Sequence, residues 1–228
     1  GVDNYQITYG NGNYTVNPAQ LTITPEYKSK PYGADLPPLT AAYFGLVAGD
    51  KPDAVTGLVL TTTATSLSEV GEYKITASNA KAANYTIQYG GVGILTVTRA
   101  TVTISADNKN KVYGAVLPTL TATFTGLVGS DSPNLFKGLS LVTNALPTSS
   151  VGTFKITPSS AVGPKNYNIN YAEGTLTVTK APLTVTVDNQ TMVYGSRVPN
   201  LTSATKGFVN GDNPVYFAGV SVTTTATS

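Results

Sequence analysis

The chain repeats itself at a fixed interval. Tyr32-Gly33, Tyr113-Gly114 and Tyr194-Gly195 stand 81 residues apart, and Gly45, Gly126 and Gly207, then Pro52, Pro133 and Pro214, then Gly57, Gly138 and Gly219 keep the same offset. Solenoid units of roughly 20 to 50 residues must stack because each is too small to bury its own core. An 81-residue unit can bury a modest core. The repeat therefore points to an elongated tandem array of separate modules. Residues 1–18 match the C-terminal hairpin of a preceding repeat, 19–99 and 100–180 are complete β repeats, and 181–228 is a truncated β repeat that stops where Ser228 matches Ser66. A two-stranded remnant is marginal by itself, so the natural protein is expected to continue in both directions.

Within a unit the hydrophobic period is two, which makes the fold class all-β. Leu21, Ile23 and Pro25 share one face of a first strand, matched by Val102, Ile104, Ala106 and by Leu183, Val185, Val187, with threonines opposite. A second run carries Leu39, Ala41, Tyr43, and a third Leu58, Leu60. Tyr73, Ile75 and Ala77 form another inward row, as do Phe154 and Ile156. Asn84 to Tyr89, a glycine-containing turn and Gly93 to Thr98 then read as a hairpin. The loop Asp50-Lys51-Pro52-Asp53 has room for one helical turn.

The joints between units change parity. Leu95 and Val97 are odd-numbered apolar residues, and Val102 and Ile104 after them are even; Tyr14 and Val16 before Leu21, and Leu176 and Val178 before Leu183, repeat the switch. Side chains alternate strictly along a strand, so the backbone must twist or bulge near Ala19, Ala100 and Ala181. Joints of two to four residues without Gly or Ser have little slack. An extended, stiff particle on the order of 110 Å long is expected.

Composition narrows the function. With 41% hydrophobic and 11% charged residues and a net charge of +2, nothing basic clusters for nucleic acid or an acidic membrane. Cysteine is absent, which excludes disulfides, thiolate metal sites and a thiol nucleophile. No run approaches the roughly 20 apolar residues that span a bilayer, and residues 1–20 show no signal core.

Tyr-Gly followed by Leu-Pro or Val-Pro, the Gly-Leu-Val-x-Gly-Asp-x-Pro loop, Val-Gly-x-Tyr/Phe-Lys-Ile-Thr, and Asn-Tyr-x-Ile-x-Tyr before Gly-x-Leu-Thr-Val-Thr-Lys/Arg-Ala together resemble the MBG domain of YGX type. The resemblance covers essentially the whole chain. It implies a secreted repeat region of large bacterial surface proteins, adhesins among them, with no catalytic residues to carry over. It also implies one of two folds: an immunoglobulin-like sandwich, or a β-grasp-like sheet with one short helical turn. The third copy departs from the pattern at Thr205, where the others have Tyr43 and Phe124, and at Val198, where they have Leu36 and Leu117.

Candidate sites were weighed against structural roles. Without His or Cys, the remaining acid–base candidates are mainly 12 carboxylates, such as Asp50 with Asp53 or Glu69 with Glu72. Asn134 and Ser150 replace Asp53 and Glu69 in the next copy, so no pair recurs. Asp50, Asp131 and Asp212 raise calcium, but an ion wanting six to eight oxygens would find one or two carboxylates per loop. An Asx-turn or a cap on the helical turn is the expected role. Lys74 and Lys155 match in position and raise an isopeptide crosslink, yet parity turns them outward. Tyr5, Tyr9, Tyr85, Tyr89, Tyr167 and Tyr171 form a recurrent stripe able to stack on a sugar or protein partner, against which stands ordinary cross-strand packing. Asn-x-Thr matches at Asn13, Asn84, Asn189 and Asn200 are of the kind a Thr-rich chain produces by chance.

The expectation is a non-catalytic stalk or spacer of a bacterial surface adhesin or extracellular filament, without cofactor or metal. Its expected partners are neighbouring repeats of the same chain and a surface glycan or protein. The alternative is a ligand-binding adhesion module.

Overall fold

A computed structural model describes residues 2–213 and 220–227. Pro214 and Gly219 of the repeat pattern lie outside the described residues. The chain divides into two compact units, residues 1–100 and 101–228.

In the first unit the complete repeat forms seven strands: β1 (Ala19–Pro25), β2 (Lys28–Pro31), β3 (Ala41–Phe44), β4 (Val59–Thr62), β5 (Gly71–Ser78), β6 (Tyr85–Tyr89) and β7 (Gly93–Thr98). They build two sheets, ordered β3-β1-β6 and β2-β7-β5-β4. The architecture is thus a two-sheet sandwich rather than a single grasping sheet. Strand β1 buries Leu21, Ile23 and Pro25, the row that period-two reading assigns to the core. It pairs antiparallel with β3, Ile23 opposite Tyr43, and parallel with β6, Leu21 opposite Ile87. In the second sheet β7 lies between β5, antiparallel with Tyr73 opposite Leu95, and β2, parallel with Lys30 opposite Val97. Ile75 and Leu95 are fully buried there. One 3-10 turn, Pro52–Ala54, occupies the expected loop.

Two sequence expectations need correction. β6 and β7 are not a hairpin, because each lies in a different sheet. The chain crosses between layers at Gly93, where an added Cβ would sit 2.7 Å from the Glu26 carbonyl and 2.8 Å from that of Pro25. Only a residue without a side chain lets β7 begin so close to the point where the first strand leaves its sheet. Residues 2–18, the matching segment of a preceding repeat, likewise form no hairpin: they carry one 3-10 turn, Val2–Asn4, no strand, and are exposed throughout. The reason is the same. β6 and β7 find their ladders on β1, β2 and β5, not on each other, so their counterparts alone have nothing to pair with.

The second unit repeats the plan with β8 (Ala100–Ala106), β9 (Lys109–Val112), β10 (Ala122–Thr125), β11 (Ser140–Thr143), β12 (Gly152–Ser159), β13 (Tyr167–Ala172) and β14 (Gly174–Thr179), in sheets β10-β8-β13 and β11-β12-β14-β9. Pro133–Leu135 is again a single 3-10 turn. Beyond it β15 (Thr184–Val187) pairs antiparallel with β16 (Ser203–Lys206), Val185 opposite Thr205. All four residues of β15 are exposed.

Burial follows the predicted parity at the joint near Ala100, whereas Tyr14 and Val16 before the first joint and Val185 and Val187 after the third are exposed, because the strands that would cover them are not formed beside them. Leu95 and Val97 are buried in β7, whereas Ala100, Val102 and Ile104 are buried in β8, with Arg99 alone between the strands.

Candidate functional site

The loop after β3 is tied back to its own repeat in the same way in both complete copies. Gly45 has φ +98°, and a Cβ there would lie 2.4 Å from the carbonyl oxygen of Gln20. Gly126 against Thr101 and Gly207 against Pro182 repeat this at 2.3 and 2.5 Å. Positive φ and contact with backbone together admit only glycine. The chain so turned brings Val47 and Asp50 to Tyr85. The Val47 N–H donates to the phenolic oxygen at 2.9 Å, and the phenol donates to Oδ2 of Asp50. In the next repeat Val128 N–H donates to Tyr167 at 2.8 Å, and Tyr167 donates to Oδ2 of Asp131 at 2.6 Å. The hydrogen bond to Asp50 pushes the Tyr85 phenol above its ordinary pKa, since ionisation would set two negative oxygens side by side.

This decides how the Gly-Asp-x-Pro aspartates are used. Lys51 and Ser132, not aspartate, stand at the N-caps of the 3-10 turns, and neither makes a side-chain cap bond. The aspartate instead accepts a tyrosine hydroxyl from a strand 35 residues away. Among the described residues no three Asp, Glu, His or Cys side chains gather.

The tyrosine stripe divides in the same way. Tyr85 and Tyr167 are buried, and Tyr89 and Tyr171 are about two-fifths exposed, at 42% and 41%. Their hydroxyls accept the N–H groups of Ala80 at 2.9 Å and Ala161 at 2.7 Å. Tyr5 and Tyr9 stand in the unpaired segment, exposed. Lys74 is exposed, and Lys155 forms a surface ion pair with Glu173 at 2.7 Å.

Two recurrent features and one difference between the copies escape a reading of the sequence. Lys30 and Lys111 are buried. The Lys30 ammonium donates to the carbonyls of Ala34 at 3.0 Å and Ser66 at 2.9 Å, and that of Lys111 to Pro147 at 2.9 Å. Burial holds the Lys30 ammonium below its ordinary pKa, partly offset by Asp35. Met192 at the third matching position was the available signal, because Lys replaced by Met marks a buried stem. Second, a carboxylate at the end of the first strand accepts a threonine hydroxyl at the start of the third: Glu26 from Thr40, Asp107 from Thr121 at 2.5 Å, and Asp188 from Thr202 at 2.7 Å. Hydrogen bonds from Thr40, and from Thr121 with Thr123, hold Glu26 and Asp107 below the usual carboxylate range. Third, Val55 and Ala82 are replaced by Phe136 and Gly163 in the next copy. The Phe136 ring packs on Phe124 and Tyr167 at centroid distances of 5.4 and 5.6 Å, and a Cβ on Gly163 would lie 2.4 Å from it.

An open groove of about 850 Å³ lies beside β3, lined by Leu39, Ala41, Tyr43, Val55, Leu58 and Leu60. No pair of the weighed carboxylates, Asp50 with Asp53 or Glu69 with Glu72, lines it. The recurrent polar side chains are thus spent on holding loops to strands.

Comparison with individual characterised proteins gives no match. A family model for the MBG domain (YGX type) matches residues 21–96, 102–177 and 183–228. The three matched stretches cover most of the sequence, and the chain belongs to the MBG domain (YGX type) family, whose repeat it carries in tandem.

Proposed function

We propose that the chain is a non-catalytic structural segment, a stalk or spacer, of a large bacterial surface adhesin or extracellular filament. The observation that carries this reading is the fate of the polar residues that recur. Asp50 with Tyr85, Asp131 with Tyr167, and the carboxylate–threonine pairs at Glu26, Asp107 and Asp188 are all engaged inside their own repeats. A module selected for chemistry or recognition would direct its recurrent polar groups at a cavity. A spacer needs only that each copy fold alike and join its neighbour in one way. Membership in a family of surface-protein repeats supports placing the chain outside the cell.

Small-angle scattering on the 228-residue chain tests the reading. A maximum dimension on the order of 110 Å is expected, and an isometric particle would overturn it. A glycan array run on the same sample separates the adhesion-module alternative. Saturable binding lost on changing Leu58 or Tyr89 would establish that alternative in place of the spacer.

A further inference from the structure

The Tyr-Gly pair that opens each copy has a use the intra-repeat bonds do not explain. Gly114 and Gly195 adopt the same left-handed backbone, φ +82° and +83°. Their surroundings differ. A Cβ on Gly195 meets nothing within 4 Å, whereas one on Gly114 would lie 2.4 Å from Cγ2 and 2.6 Å from Cβ of Val209. Val209 belongs to the following repeat, one position beyond Phe208 in the loop that matches Gly45-Leu46-Val47. Around this contact Tyr113 and Val151 from one copy face Leu183, Phe208 and Val209 from the next across an apolar cleft of about 380 Å³.

We propose that the Tyr113-Gly114 turn is the surface on which the second repeat receives the third, and that its partner is Val209 of the Gly207-Phe208-Val209 loop. The glycine serves two ends at once. It permits the left-handed turn, and it leaves the hollow that the valine side chain fills. Tyrosine and valine at the rim supply apolar area, so the joint is set by packing as well as by short connecting chain. This deepens the spacer reading by naming a contact that orders successive modules, and it rests on that reading for its purpose but not for its test.

The matched glycines make the test clean, because Gly195→Ala reports backbone strain alone while Gly114→Ala reports strain and collision. In the full chain, 15N relaxation of residues 184–187 and 203–206 is compared with that of β12 and β14. Unmodified chain and Gly195→Ala should show these segments tumbling with the second repeat. Gly114→Ala should release them, lengthening their transverse relaxation times about twofold as they gain independent motion. In a Val209→Gly background, adding Gly114→Ala should change nothing further, since the colliding side chain is gone. Equal behaviour of Gly114→Ala and Gly195→Ala, or a further effect of Gly114→Ala on Val209→Gly, overturns the proposal. A compact scattering profile with the relaxation result intact would sink the spacer reading and leave the docking contact standing.

Discussion

The phenolic oxygen of Tyr167 lies 2.6 Å from Oδ2 of Asp131, 36 residues earlier in the chain, and receives the N–H of Val128 at 2.8 Å. One hydroxyl therefore closes the loop after β10 onto β13. Tyr167→Phe keeps the ring but removes the hydroxyl that donates to Asp131 and accepts from Val128, and should cost about 1–2 kcal/mol in urea unfolding. Asp131→Asn, which can still accept the phenol, should cost less. An unaltered midpoint for Tyr167→Phe would show that water replaces the clasp without loss.

Gly126 combines φ +89° with a Cβ position 2.3 Å from the Thr101 carbonyl oxygen. Gly126→Ala should destabilise by more than about 2 kcal/mol, because strain and a backbone collision add. Gly71→Ala, at an extended position with nothing within 4 Å, should fall within about 0.5 kcal/mol of the parent. Chemical denaturation of the two variants side by side checks the contrast.

Phe136 and Gly163 stand where the preceding copy has Val55 and Ala82, both packed against the cluster of Leu21, Ile23 and Tyr85. Gly163→Ala puts a methyl 2.4 Å from the Phe136 ring, and overpacking of this kind costs about 1–3 kcal/mol. Phe136→Val alone should also destabilise by leaving a void beside Phe124. The double variant recreates the natural pair of the first repeat, and its loss should be smaller than the sum of the single losses by at least about 1 kcal/mol.

Acid should weaken the carboxylate–threonine pairs. Thr121, then Thr123, hold Asp107 below the usual range, so its native form stays ionised where the unfolded chain has begun to take up protons. The contribution is present above about pH 4 and is lost as pH falls through the lowered native value. Replacing both Thr121 and Thr123 with Val should flatten the decline of the urea midpoint between about pH 5 and about pH 2. A decline as steep as that of the parent would remove Asp107 from the account.

Alkali acts through two groups in opposite directions. Burial lowers the Lys30 pKa, so between that value and the ordinary one of about 10.4 the unfolded chain binds more protons and stability rises with pH. The raised Tyr85 pKa works the other way above about pH 10, where the unfolded phenol ionises first. Lys30→Met, which copies Met192, should abolish the rise while keeping the packed stem. Lys30→Ala should lose about 2 kcal/mol, because the Ala34 and Ser66 carbonyls lose their donor. Urea midpoints at stepped pH from about 8 to about 11 follow both effects.

Much of the plan is legible in the chain. Leu21, Ile23, Ile75 and Leu95 are assigned to the interior by alternation and are fully buried. The turn at Pro52–Ala54 falls where Asp50-Lys51-Pro52-Asp53 places it. The pairing of β6 was not legible, because Tyr85 to Tyr89 followed by a glycine turn and another alternating run has the local signature of a hairpin whichever strand it eventually meets. Lys30 escaped because a lysine in a polar tetrapeptide reads as solvated unless its carbonyl partners are known.

Period, the inward rows of the two complete copies and the parity change at Arg99 were determined by sequence alone, since alternation and offset are one-dimensional properties that neighbouring residues carry. Tertiary structure decided which strands share a sheet, which hydroxyls the loop aspartates accept and which lysines lie inside. Those depend on contacts such as Tyr85 with Asp50 and Lys30 with Ser66, which join residues 35 and 36 apart. No local pattern records such a meeting; it is set when two layers close on a common core and every buried polar atom must find a partner within it.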